Sequence, residues 1–130
     1  MIHTKFQEVT FIRCKLAGLN FSQISKILLS VKFLDSNLAF CNFPDLNLSD
    51  TKFVNCQLNG CDFLDTNLKN ALFENTSLPG TQFDHCDLSG ADFRSARDFV
   101  INLEGNKLDK AIFSLQGALT FLETLNIIIE

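Results

Sequence analysis

The sequence predicts an all-β solenoid in which the chain turns a corner every five residues. From Phe33 to Phe93, every fifth residue is phenylalanine or leucine without exception, and the two types alternate strictly. A period of five fits neither an amphipathic helix nor an alternating strand, but four such segments close a square coil of twenty residues. The chain also holds 14 phenylalanines and no tryptophan or tyrosine, which indicates that one ring-sized core position recurs.

Residues twenty apart are expected to lie one above another, because stacked coils would pair as parallel strands. The rings would then form two facing core columns, one of Phe33, Phe53, Phe73 and Phe93 and the other of Phe43, Phe63 and Phe83. Leucines would fill the two remaining sides. Stacking like on like keeps the cross-section constant, as close packing requires.

The period changes phase near the N-terminus. Phe6, Phe11, Leu16 and Phe21 keep the five-residue spacing, but Phe21 and Phe33 are 12 residues apart. Residues 22–30 therefore carry two extra residues. They form either a bulged corner with Ile24 and some of Ile27 to Leu29 still in the core or a protrusion that binds a partner. The first coil is expected to leave an open edge, and open edges invite pairing.

The C-terminal part changes from the five-residue period to a helical one. Asp98 stands where a leucine is due, with Phe99 and Val100 as its expected replacements, and Leu103, Leu108 and Phe113 resume the period. We therefore predict a solenoid over residues 1–113, with an irregular corner at 22–30, and a C-terminal segment over 114–130. Ser114 is a suitable N-cap for a capping helix, and a short strand follows at 127–129. The predicted cap or dimer residues are Leu115, Leu119, Leu122, Leu125, Ile127 and Ile129.

Length and charge exclude several classes of protein. The 130 residues suit one domain. No apolar run approaches the 18 residues of a transmembrane helix. The first residues lack a signal-peptide pattern, so we expect a cytoplasmic protein. The net charge of −4 argues against direct binding to nucleic acid or to an anionic membrane.

The sequence holds no constellation typical of catalysis, so we expect a non-enzyme without cofactor or metal. Its two histidines, His3 and His85, have no nucleophile placed beside them, and a filled rod offers no substrate pocket. Cys41 and Cys61, one coil apart, are within disulfide range, although free thiols are expected in a reducing compartment. All five cysteines fall at inward positions, where cysteine acts as a small apolar residue: Cys14, Cys41, Cys56, Cys61 and Cys86. A zinc site needs four converging ligands, and these positions do not provide them.

Several pentads resemble the motif A(D/N)LXX of the pentapeptide repeat family. Residues 61–65 read CDFLD, residues 86–90 read CDLSG and residues 91–95 read ADFRS. The resemblance covers nearly the whole chain and implies a right-handed quadrilateral β-helix. Residues 102–114 and 119–129 also resemble the C-terminal end of Qnr-type quinolone-resistance proteins. That likeness implies a homodimer formed through the C-terminal segment.

Acidic residues are concentrated on the regular repeats. Residues 33–93 hold nine acidic and two basic residues, whereas residues 1–32 hold five basic and one acidic. A motif that prefers Asp or Asn before each centre, on a solvated side, explains these carboxylates as well as a binding role does. Folding the pentads onto a square coil gives six candidate partner-binding residues, four on one side and two around the next corner: Asp45, Asp62, Asp65 and Asp84, then Asp50 and Asp87.

Two functions therefore remain open. The first is a protein-binding module or scaffold whose partner the sequence does not name. The second is implied by the resemblance to Qnr-type proteins: a DNA mimic whose acidic side docks the DNA-binding surface of DNA gyrase or another topoisomerase and protects against fluoroquinolones. Salt-sensitive competition with DNA is expected of the mimic alone.

Overall fold

A computed structural model describes residues 7–21, 28–124 and 127–128 of the chain. This part contains nine short strands and one helix. In chain order they are β1 (Gln7–Ile12), β2 (Lys15–Ala17), β3 (Leu28–Leu34), β4 (Asn37–Ala39), β5 (Lys52–Val54), β6 (Gln57–Asn59), β7 (Asp62–Leu64), β8 (Leu72–Glu74), β9 (Gln82–Asp84) and α1 (Leu115–Thr124).

All strand pairs are parallel, and three sides of the solenoid are each a narrow sheet. One sheet has the order β1-β3-β5-β8, a second β2-β4-β6 and a third β7-β9. The fourth side is joined by isolated bridges such as Asn47 to Asn67 and Asn67 to Asp87. From β3 onward, partners are twenty residues apart, as in the pairing of Phe33 with Phe53, whereas β1 and β2 pair with the next coil at an offset of 22 residues. The predicted all-β quadrilateral β-helix with a C-terminal helix is therefore confirmed.

The corners are made by residues in the left-handed backbone region. Asp45 and Asp65 have φ of 52°, and Asn55 has φ of 55°. This region is unfavourable for most side chains, but Asn, Asp and Gly tolerate it. A Cβ at Gly60 would lie 2.7 Å from the ring of exposed Phe40, so any other residue there would displace that ring. The recurrence of Asp, Asn and Gly at the end of a pentad thus has a backbone cause.

The core consists of two columns of stacked rings. Phe33, Phe53, Phe73 and Phe93 lie in one column, with Phe11 below and Phe113 above. The rings of Phe21, Phe43, Phe63 and Phe83 stack in the other. Rings within a column are 4.6 to 5.2 Å apart between centroids. The two columns meet edge to face, an arrangement favoured by the ring quadrupole.

The short inward residues tie one coil to the next through their hydroxyl or thiol groups. The Thr76 hydroxyl lies 3.0 Å from the Phe53 carbonyl oxygen and 3.3 Å from the amide nitrogen of Cys56. The Cys86 thiol lies 3.0 Å from the carbonyl oxygen of Phe63. Buried polar groups need such partners, so the preference for Thr, Ser and Cys at these positions reflects bonding as well as size.

The two-residue insertion near the N-terminus is partly visible as a β-bulge. Gln7 pairs with Leu28, but Glu8 pairs with Ser30, which leaves Leu29 as an extra residue in β3. Beyond the bulge, Phe11 pairs with Phe33. The rest of the insertion, including the predicted core residue Ile24, lies outside the described residues, as do His3 and Phe6.

The last coil departs from the predicted period. Asp98 is exposed, and Phe99 is buried in its place with 7% of its surface exposed. Ile101 is also buried, whereas Leu103 is 37% exposed. The expectation that Leu103 resumes the period was wrong, because Phe99 and Ile101 have already filled the interior. Val100 is exposed and compensates for nothing.

Helix α1 begins after Ser114, whose Oγ accepts a hydrogen bond of 3.0 Å from the Gly117 amide. Its core contact is Phe121, which meets Phe113 edge to face at 4.7 Å. Leu115 is 80% exposed, so it does not cap the solenoid, and its alternative role in a dimer stays a prediction. Leu119 and Leu122 are half-buried. No helix in the described ranges is long and apolar enough to cross a membrane.

The strand predicted at 127–129 is corrected in part. Ile127 and Ile128 are exposed and belong to no strand. Leu125 and Ile129, the remaining predicted cap or dimer residues, lie outside the described residues. Helix α1 covers Phe113, the last ring of the Phe33 column, through Phe121.

Candidate acidic interaction face

Four of the six candidate aspartates lie on one side of the solenoid, the side that carries the Phe43 column. We call Asp45, Asp62, Asp65 and Asp84 the acidic face. Asp62 begins β7 and Asp84 ends β9, and these two strands pair directly. Asp45 and Asp65 occupy the same corner in successive coils, where their amides donate to carbonyl oxygens of the next coil at 2.7 and 2.9 Å. The backbone ladder therefore fixes where these carboxylates stand.

Asp62 is the residue of the acidic face whose surroundings disfavour its charged form. Its Oδ1 atom is buried and has no hydrogen-bond partner among the described residues. Burial raises the pKa of the Asp62 carboxyl above its ordinary value of 3.8, and the negative charge of Asp84 raises it further. Both causes disfavour the charged form. A cation placed beside these two carboxylates would relieve the repulsion.

The acidic face makes no ion pair with any residue that the structure describes. The two ion pairs among the described residues lie on other sides of the rod. Lys69 pairs with Asp87 at 3.6 Å, and Arg94 pairs with Asp92 at 2.8 Å. Both of those aspartates have a pKa below the ordinary value. Six carboxylates outside the acidic face also lack an ion pair among the described side chains. The acidic face is therefore set apart by the clustering of its carboxylates.

Asp50 and Asp87 do not belong to this acidic surface. They lie around the corner on a side of mixed charge, where Lys69, Lys107 and Lys110 line a surface depression together with Asp87. Burial alone would raise the pKa of Asp87, but hydrogen bonds from Ser89 and the charges of both Lys69 and Lys107 outweigh it. The sequence arithmetic placed the aspartates correctly and missed this neutralisation.

An apolar residue that the sequence reasoning missed also lies on the acidic face. Leu64 follows Phe63 in β7 and is exposed between Asp62 and Asp65. The signal was available, because Leu64 stands at an outward position that is otherwise polar or proline on this side. An apolar residue surrounded by polar ones matches the apolar centre and polar rim of protein-binding surfaces.

The cysteines are free thiols in the described structure, and four of them are buried. Burial raises the pKa of Cys61 and of Cys86 to about 11, so neither is an activated nucleophile. His85 is exposed at a corner. Across the described ranges, no group of three or more Cys, His, Asp or Glu side chains is placed to hold a metal ion.

Comparison with known proteins gives a consistent family and little else. The profile described as "Pentapeptide repeat region" matches residues 4–83 and 26–113. A pentapeptide repeat protein from the thylakoid lumen of Arabidopsis thaliana is 30% identical, with a TM-score of 0.50, over 54% of this chain and 48% of that one. HetL of the cyanobacterium Nostoc, described as involved in heterocyst differentiation regulation, is 23% identical, with a TM-score of 0.55, over 83% of this chain and 47% of that one.

This chain thus spans about half the length of these two proteins. Full-length QnrB1, a plasmid-mediated fluoroquinolone resistance protein, is 16% identical over 91% of this chain and all of its own, with a TM-score of 0.33. That likeness is too low to carry an argument. A search of curated protein sequences returns no significant match.

Proposed function

Because the chain belongs to the pentapeptide repeat family, we propose that it is a non-catalytic protein-binding module whose acidic face docks a basic surface of a protein partner. The supporting observation is the cluster of four carboxylates that have no cation among the described residues. On the other sides, Asp87 and Asp92 each pair with a cation, and the remaining described carboxylates do not, so it is the clustering of the four that supports the proposal. A surface left in this condition gains most from a partner that brings the missing charge.

The energetics favour a basic partner for two reasons. The raised pKa of Asp62 means that its charged form is disfavoured in the free protein, and a neighbouring cation removes part of that penalty. Long-range attraction would also speed the encounter, an effect that falls with ionic strength. Exposed Leu64 adds an apolar contact at the centre of the acidic face.

The first experiment compares the proteins captured by the wild-type chain with those captured by two variants. The face variant carries Asp62→Lys, Asp65→Lys and Asp84→Lys. The control carries Asp109→Lys, an exposed position on another side. We expect the wild type and the control to retain a partner that the face variant does not. Salt should release this partner, and the purified partner should bind the wild type again. Identical capture by all three chains would refute the proposal.

A second candidate function is a DNA-mimicking modulator of DNA gyrase or another topoisomerase. The observation that favours it is the placement of Asp62 and Asp84 on paired strands of successive coils, which produces a row of negative charge along the rod. The test is a supercoiling assay with purified gyrase, with and without a fluoroquinolone. Inhibition or protection at micromolar protein, abolished in the face variant and retained in Asp109→Lys, would support mimicry. If the protein does not change supercoiling by gyrase, mimicry is refuted and the protein-binding module is the one function that remains.

A further inference from the structure

The backbone ladder between the coils is interrupted along one strand. On the preceding side of the square, the Leu78 amide donates to the Arg97 carbonyl oxygen at 2.9 Å. On the following side, the Lys107 amide donates to the Cys86 carbonyl oxygen at 3.0 Å. Between these intact rungs, strand β9 pairs with β7 on one edge and with no strand of the described chain on the other.

The free edge of β9 offers donors and an acceptor. The ladder pattern of the earlier coils directs the amides of Phe83 and His85 and the carbonyl of Thr81 toward the next coil. None of these three groups has a backbone partner among the described residues. The Phe83 carbonyl oxygen, on the same edge, accepts from the Asn106 side chain at 2.9 Å. Three consecutive ladder groups are therefore available to a segment from outside.

The interruption follows from the irregular coil described above. Because Phe99 and Ile101 turn into the core and Leu103 turns outward, the chain from Val100 to Asn102 does not follow β9. The space between them is a groove of about 450 Å³. Gly80 contributes no side chain to its floor. Gln82 and Asp84 stand along one wall, and Val100 and Asn102 along the other.

We propose that this groove binds an extended basic segment of a partner protein, which adds a strand to the free edge of β9. The inference rests on the proposed function and specifies how the partner is held. Addition of a strand to an exposed sheet edge supplies affinity through backbone hydrogen bonds and specificity through alternate side chains. Two carbonyls of the segment, two residues apart, would accept from the amides of Phe83 and His85, as those of Asp62 and Leu64 do from Phe43 and Asp45. One amide of the segment would donate to the carbonyl oxygen of Thr81.

Charge decides which segment fits. Asp84 lies in the wall of the groove, and its charge already disturbs Asp62 in the neighbouring strand. A lysine or arginine of the added strand would lie beside Asp84, with Asp62 one strand further away across β9. Exposed Val100 gives the opposite wall an apolar contact. The segment that satisfies both walls alternates basic and apolar residues.

The test uses three synthetic octapeptides, because the natural partner is unidentified. The first alternates arginine and valine, the second replaces arginine by glutamate, and the third is the arginine peptide with alternate backbone nitrogens methylated. Fluorescence anisotropy measures affinity, and NMR hydrogen exchange locates the protected amides. We expect the arginine peptide to bind and to slow exchange at Phe83 and His85 at least tenfold. The methylated peptide, which keeps the charge but loses donors, should bind at least tenfold more weakly.

Two variants complete the test. Asp84→Lys should weaken binding of the arginine peptide at least tenfold, whereas Asp109→Lys, an equal change of charge outside the groove, should leave it within twofold. Melting curves establish that both variants are folded.

Four outcomes would overturn strand addition. Equal binding of the methylated and unmethylated arginine peptides would show attraction by charge alone, which contradicts the groove proposal and leaves the acidic face intact as a binding surface. Protection confined to the N-terminal edge at β1 would place the added strand elsewhere. Equally tight binding of the glutamate and arginine peptides would contradict both the groove proposal and the proposed function. The same holds if no peptide binds and the face variant captures the same proteins as the wild type.

Discussion

The rings of Phe53 and Phe63 meet edge to face, with centroids 6.3 Å apart and planes inclined at 87°. Each is fully buried and stacks within its own column. Phe63 has Phe43 at 4.7 Å on one side and Phe83 at 5.2 Å on the other. The contact joins the two columns in the middle of the rod, so neither ring can shift without disturbing both stacks.

Replacement of Phe63 by alanine should therefore be among the most destabilising single changes. We expect a loss of about 3–5 kcal/mol in the free energy of unfolding, because the change removes a buried ring and leaves a cavity between two fixed neighbours. Chemical denaturation monitored by circular dichroism measures the loss. The matched control is Phe40→Ala, where the ring is 66% exposed and the expected change is about 0.5 kcal/mol or less. Equal losses in the two variants would contradict the column arrangement.

The buried hydroxyl of Thr76 provides a second test. Thr76→Val keeps the shape but removes the group that accepts from the Cys56 amide, and leaving that donor unpaired should lower stability by about 1–3 kcal/mol. Thr76→Ser should lose less, since Ser36 makes the equivalent bond to the Cys14 amide at 3.1 Å. Urea denaturation of the two variants decides the matter. A valine variant as stable as the serine variant would mean that size alone is selected at this position.

Asp62 should make stability depend on pH. Its folded-state pKa is raised, so the native protein holds its proton more tightly than the unfolded chain, and stability falls as pH rises through the raised pKa. Asp62→Asn removes the charged form and should melt at a higher temperature than the wild type at pH 7. The difference should shrink as pH falls toward 3.8. Asparagine fits this column, since Asn42 stands one coil below. A difference that grows on acidification would reverse the assignment.

Thiol reactivity should follow position in the solenoid. Cys14, half-buried in the first described coil, should be alkylated first by iodoacetamide at pH 8. Cys61 and Cys86 should react far more slowly, because burial holds each pKa at about 11 and the thiolate is the reactive form. Peptide mass spectrometry of a time course gives the individual rates, and a sample in guanidinium should lose the difference. Equal rates for Cys14 and Cys61 in the folded protein would show that the coils open readily.

The regular coils were predictable because one packing rule repeats without interruption. A ring or leucine every fifth residue leaves a single way to close the square, and the pairing of Phe63 with Phe83 follows from counting. The last coil was not predictable in this way. Once Asp98 broke the period, the choice among Phe99, Ile101 and Leu103 for the interior depended on backbone angles that the sequence does not state. Phe121, the actual contact of the capping helix, was missed for the same reason.

The candidate site shows the same division. Counting by twenties placed Asp62 and Asp84 on one side, because coil length is constant there. It gave no indication that Asp62 has a buried, unpartnered oxygen or that Lys69 reaches Asp87, since both depend on side-chain conformation. The free edge of β9 was equally hidden, because it arises where the ladder fails.

From β3 onward, the offset between paired strands is constant, and this has a consequence for how the chain folds. β3 to β5, β4 to β6 and β7 to β9 each join residues twenty apart. Closing a loop costs entropy that depends on its length, so each added coil faces the same penalty however many precede it. We expect folding to start from any adjacent pair of coils and to propagate by neighbours, so that its rate reflects the formation of the first pair and not the length of the rod.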